Sequence, residues 1–135
     1  MLVEQTAVTA GFLILRGHAA PWVIDAAKKL EAIGKLPSGW DSYGGAPLDL
    51  NARTLTVNAL GWLGNENLPV PAVVLGSGGT VQLEWRAGGR ELEIELEKDG
   101  IEFLKVHANK EMEEGQAKTD LPRQLQDLSW WLLHG

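Results

Sequence analysis

The sequence predicts an α+β fold, an antiparallel meander of about four strands with helices packed on one face. Three observations predict it. Apolar residues recur at intervals of three and four before residue 64 and again after residue 121, the period of amphipathic helices. Between residues 72 and 106 the period shortens to two, reaching strict alternation in Glu91-Leu92-Glu93-Ile94-Glu95-Leu96-Glu97. Gly76-Ser77-Gly78-Gly79, Gly88-Gly89 and Lys98-Asp99-Gly100 punctuate that stretch as turns. An alternating antiparallel sheet needs one face covered, and the helices are the available cover. At 135 residues the chain reads as a single domain, 1–135, long enough to close a core without staples.

Residues 1–18 are expected to be loose, with Gly11-Phe12-Leu13-Ile14-Leu15 either a short strand or the lead-in to a helix. Pro21 suits a first helical position, and Val23, Ala26, Ala27, Leu30 and Ile33 form one apolar side of a helix over 21–34. Gly34 is its stop signal. A second helix over 50–63 takes Asp49 or Asn51 as its cap and buries Ala52, Leu55, Ala59 and Leu63. Leu68-Pro69-Val70-Pro71 then forces an extended connection.

Strands are expected over 72–75, 80–86, 91–97 and 101–107. A two-residue Gly88-Gly89 turn sets Trp85 against Leu92, Leu83 against Ile94 and Val81 against Leu96, apolar on apolar throughout. For the next hairpin, a three-residue loop sets Ile94 against Leu104, Leu92 against Val106 and Glu93 against Lys105. A two-residue loop would put Lys105 on the core face opposite Ile94, which is costly. Residues 108–119 are polar and expected to be loose, with a helical turn in Lys110 to Gly115. A third helix over 121–133 carries Leu121, Leu125, Leu128 and Leu132 on one face. Trp130 and Trp131 are adjacent and therefore point in different directions.

Composition narrows the function. The absence of cysteine excludes disulfides, thiolate metal sites and cysteine nucleophiles. A net charge of −6, with no clustered Lys and Arg, argues against a nucleic-acid footprint. The start of the chain has no basic n-region, and its apolar run is too short to span a membrane. The expected location is the cytoplasm, with no membrane association and no cofactor. His18, His107 and His134 share no metal-ligand spacing, and no metal site is expected. The glycine pairs lack the following helix that a phosphate loop needs, so they are turn residues.

Two groups of residues carry candidate contacts. Glu84, Glu91, Glu93, Glu95 and Glu97 share the outer face of the sheet, with Glu84 directly across from Glu93. Facing carboxylates can share a proton or hold a hard cation, but a solvated, charge-protected face or a docking face for a basic partner explains them more simply. The second group lies in the loop Leu36-Pro37-Ser38-Gly39-Trp40-Asp41-Ser42-Tyr43-Gly44-Gly45-Ala46-Pro47. There Trp40 is expected to anchor the loop between helices and sheet, Asp41 to bond backbone N–H groups, and Gly44 and Gly45 to supply positive φ. Asp41 and Tyr43 are its candidate contact residues, and Trp85 is the anchor expected within the sheet.

Trp40-Asp41-Ser42-Tyr43-Gly44-Gly45-Ala46-Pro47, followed by Leu83-Glu84-Trp85 and Leu92-Glu93-Ile94-Glu95, resembles a pattern in small uncharacterised bacterial and phage proteins. The resemblance covers residues 36–100, and no established activity comes with it. It implies a mobile-element or defence setting, hence an antitoxin or inhibitor. The expected function is accordingly a non-enzymatic, acidic interaction module that binds a protein with a basic surface. Two alternatives stay open. One is a small-ligand or metal-binding protein or hydrolase with a cleft between loop 40–45 and the sheet, using Asp41, Tyr43, Glu84 and Glu93. The other is a homo-oligomeric subunit, a homodimer for instance, pairing through Trp130-Trp131.

Overall fold

The computed structural model describes residues 20–64 and 66–135. The expectations for residues 1–18, His18 included, lie outside the described residues. Helix α1 (Pro21–Ile33) starts with its proline in the first turn and buries Trp22, Val23, Ala26, Ala27 and Leu30. Helix α2 (Leu50–Leu63) is capped by Asp49, whose carboxylate accepts from the backbone N–H of Asn51 at 3.0 Å and of Ala52 at 2.9 Å. Its buried side includes Thr56, which returns its hydroxyl to the Ala52 carbonyl at 2.8 Å. The predicted Leu55 is only half-buried.

Five strands follow: β1 (Ala72–Leu75), β2 (Val81–Ala87), β3 (Arg90–Leu96), β4 (Ile101–Val106) and β5 (Met112–Ala117). They form one sheet in the order β1-β2-β3-β4-β5, every neighbouring pair antiparallel. Helix α3 (Leu121–His134) closes the chain. The α+β meander is thus as the sequence predicts, with one strand more.

The β2–β3 hairpin has the predicted register, with Trp85 on Leu92, Leu83 on Ile94 and Val81 on Leu96. Gly88 and Gly89 both hold positive φ, 58° and 80°, as a two-residue hairpin turn requires. The β3–β4 hairpin departs from expectation. Glu97 to Gly100 form a four-residue connection, closed by Glu97 N–H on the Gly100 carbonyl at 2.9 Å. Leu96 therefore faces Ile101, Ile94 faces Phe103, Leu92 faces Lys105, and Glu93 faces Leu104. The expected register would have brought Glu102 onto the core face opposite Leu96. The observed one buries Ile101 to 2% exposure and leaves Glu102 exposed.

Lys105 consequently lies on the inner face but is not stranded. Its ammonium sits 5.2 Å from the Trp131 ring centre and 5.8 Å from that of Phe103, with the Glu113 carboxylate at 3.6 Å. Glu113 itself belongs to β5, the segment expected to be loose or helical. The turn into β5 is made by His107 N–H on the Glu111 carbonyl at 2.8 Å, with Lys110 at φ 76°. Gly115 lies under the Phe103 ring, where a Cβ would fall 2.3 Å from the ring edge. Strand pairing, rather than apolar alternation, orders this stretch.

The core lies between the inner sheet face and the helices. Val81, Leu83, Trp85, Leu92, Ile94, Leu96 and Ile101 meet Leu30, Leu60, Leu63, Leu125, Leu128 and Leu132 there. Trp85 is buried to 2% exposure and meets Trp22 edge-on with ring centres 6.0 Å apart, consistent with its anchoring role. Of the adjacent pair in α3, Trp131 packs inward against His107 and Trp130 is 61% exposed. Among the described residues, no helix is long and apolar enough to cross a membrane.

Candidate docking face

The opposite face of the sheet follows from the same registers. Its middle row reads Ala72, Glu84, Glu93, Leu104 and Glu114 across β1 to β5. Toward the β1–β2 turn the next row reads Val74, Gln82, Glu95, Glu102 and Gln116. On the other side Arg86, Glu91, Val106 and Met112 align. Glu84 stands directly across from Glu93, as predicted. Lys105, expected beside Glu93, has gone to the inner face, so its place is taken by Leu104. Glu102, Glu114, Leu104 and Val106 thereby join a face on which sequence reasoning had not placed them. The signal was present: the three-residue loop is the one of the three registers that sets Glu102 against Leu96 on the core face.

This face is dominated by one sign of charge. Arg86 pairs with Glu91 at 3.3 Å, and Thr80 donates its hydroxyl to Glu95 at 2.7 Å. Among the described residues, Glu84 and Glu93 have neither a hydrogen-bonding nor an ion-pairing partner. Partial burial pushes the Glu93 carboxyl above its ordinary range, and the charges of Glu84 and Glu95 push it further. Glu97 is raised as well, by burial first, then by a hydrogen bond and like charge from Glu102. Among the described residues, Glu95, Glu97 and Glu102 bring carboxylate oxygens within 4.8 Å of one another and are the group that could hold a hard cation.

Between these side chains runs a groove of about 410 Å³, lined by Val70, Ala72, Glu84, Arg86, Glu91, Glu93, Leu104 and Val106. Asp41 and Tyr43 do not line it. Their loop lies at the sheet's other end, against the β1–β2 turn, where Ala46 N–H reaches the Ser77 carbonyl at 2.8 Å and Asp49 N–H reaches that of Gly79 at 2.9 Å. Gly79 is at φ +85°, and a Cβ there would fall 2.7 Å from the Pro47 carbonyl. The loop closes on itself. Asp41 accepts from the N–H of Tyr43 at 2.9 Å and of Gly45 at 2.8 Å, and these bonds hold its carboxyl below the ordinary range. Trp40 donates its indole N–H to the Ala46 carbonyl at 2.8 Å and stays half-buried. It fastens its own loop and is not among the side chains packed on the core.

The glycines of the loop divide their roles. Gly44 has φ +80°, as do Gly39 at 77° and Ser42 at 65°. Gly45 has no positive φ. It is small because the Asp41 carboxylate approaches to 2.7 Å of where a Cβ would stand. Tyr43 is 92% exposed on this fixed turn. The chain matches no family model, no curated protein and no solved structure.

Proposed function

We propose that this protein is a non-catalytic interaction module that docks a partner protein with a basic surface on the outer face of its sheet. One observation carries the reading. The side of the sheet away from the helices presents the Glu84–Glu93 pair, without a partner among the described residues, in a groove whose remaining walls include Val70, Ala72, Leu104 and Val106. Such a mixture suits a protein partner, since charge steers the encounter and apolar contact holds it. Tyr43, presented rigidly and exposed, is a second contact point. In its most specific form the function is neutralisation of a basic partner, as by an antitoxin or inhibitor.

The test is charge reversal. Glu84→Lys with Glu93→Lys is expected to lose partners that the wild type captures, while the circular-dichroism spectrum stays unchanged. The lost partners, purified, are expected to bind the wild type more weakly as salt rises. Identical capture by both proteins would remove the outer face as the interface. A second reading, self-association through α3, is favoured by the exposed Trp130, whose ring lies 4.7 Å from that of His134. Light scattering at several concentrations checks it, and a mass independent of concentration at one chain overturns it.

A further inference from the structure

The groove on the outer face has more structure than an acidic surface requires. Glu84 and Glu93 lie side by side on neighbouring strands, and directly opposed side chains in an antiparallel pair start roughly 5 Å apart. On either side in the same row stand apolar residues, Ala72 beyond Glu84 and Leu104 beyond Glu93. In the row toward the sheet end, Arg86 and Glu91 neutralise each other at 3.3 Å, with Val106 next to them. The groove therefore holds in its middle two carboxylates that no described residue compensates, with apolar surface at both ends. At about 410 Å³ it is larger than any single side chain and admits a short stretch of chain.

Resting on the docking-face reading above, we propose that this groove binds an arginine side chain of the partner, carried in an extended segment between apolar neighbours. The guanidinium lies over Glu84 and Glu93, one edge of its planar fork turned to each carboxylate. Its stem and the flanking apolar side chains cover Ala72, Leu104 and Val106. Arginine fits better than lysine for two reasons. Its fork addresses two separate carboxylates at once, whereas an ammonium is a compact point charge. It is also the more weakly hydrated cation, so placing it on a partly apolar floor loses less.

The experiment uses the full chain, 15N-labelled, titrated with acetyl-Val-Arg-Val-amide and its lysine and citrulline counterparts. The arginine peptide is expected to give saturable shifts at the amides of Glu84, Glu93 and Leu104, and citrulline none. Glu93→Gln, with its spectrum otherwise intact, is expected to weaken arginine binding about three- to fivefold, as for a partly solvated ion pair. Lysine is expected to bind more weakly than arginine. No saturable shift, equal binding of citrulline, equal binding of lysine, or shifts confined to the Tyr43 loop would each overturn the proposal. Failure here is separable from failure of the docking face. If charge reversal loses a partner but the arginine peptide does not bind, the groove assignment falls alone. If the peptide binds and reversal loses no partner, the docking reading falls.

Discussion

The inner and outer faces of this sheet are built by alternate residues of the same strands, and they are ordered by different forces. On β3, Leu92, Ile94 and Leu96 point into the helices and are buried to 2% exposure or less. Their neighbours Glu91, Glu93 and Glu95 point the other way, and among the described residues only Glu91 has a compensating cation, Arg86. The inner face is specified by packing, with Val81, Leu83, Trp85, Leu92, Ile94, Leu96 and Ile101 in one buried cluster with the helices. The outer face is specified by register alone: it is what remains once the apolar set has gone inward. A surface that does little for the fold is free to be shaped for a partner.

That contrast is open to direct attack. Ile94→Ala removes a fully buried side chain and is expected to cost about 2–5 kcal/mol in urea denaturation. Glu95→Ala, one residue further on the same strand, gives up one hydrogen bond with Thr80 and is expected to cost only about 0.5–1.5 kcal/mol. Equal losses would show that the outer face also supports the fold. Smaller than the Ile94 effect is that of Gly79→Ala, at the point where the Trp40 loop meets the sheet. Its φ of +85° and the approach of the Pro47 carbonyl predict a loss of about 1–3 kcal/mol by thermal denaturation. Tyr43 would then become more mobile, seen as lowered amide order parameters over 41–45, and any partner contact made by the loop would weaken.

The two faces were also unequally legible. Gly88-Gly89 has one economical solution, so the β2–β3 register follows from the chain by itself. The β3–β4 connection carries no such pair of glycines, and its register turned on whether Lys105 or Glu102 should approach the core. A lysine can lay its stem on Trp131 and Phe103 and meet Glu113, whereas Glu102 would have met Leu96. Of these, Glu113 and Trp131 lie on other elements of the chain, where local pattern does not reach them. Strand β5 escaped for a related reason: its inward residues are Glu113, Gly115 and Ala117, which show no apolar period. Its place depends on Phe103 finding room over Gly115. In the loop, the turn made by Asp41 was readable because its partners lie within four residues. The role of Trp40 was not, because a tryptophan between two helices suggests the core and the actual acceptor is a carbonyl of its own loop.

The smallest expected effect is one of pH, and it sets the outer face against the Trp40 loop. Glu93 is raised above its ordinary value of 4.5, by burial first and then by Glu84 and Glu95. A raised acid favours the folded state fully below that ordinary value, and the contribution is lost as pH rises through the raised one. At neutral pH the ionised Glu93 therefore works against the fold. Glu93→Gln is expected to stabilise there by roughly 0.5 kcal/mol, modest because solvent screens an open face. The gain should vanish below pH 4.5. Asp41 has the opposite sign. Its carboxyl is lowered from 3.8 by the N–H groups of Tyr43 and Gly45, so its contribution is present above that value and lost as pH falls through the folded one. Asp41→Asn is expected to lower the neutral-pH melting temperature, with the difference closing in acid. Melting curves of both variants between about pH 3 and pH 8 check the pair. Parallel curves for the two would mean that face and loop share one electrostatic role, and a bound basic partner should reverse the sign for Glu93 alone.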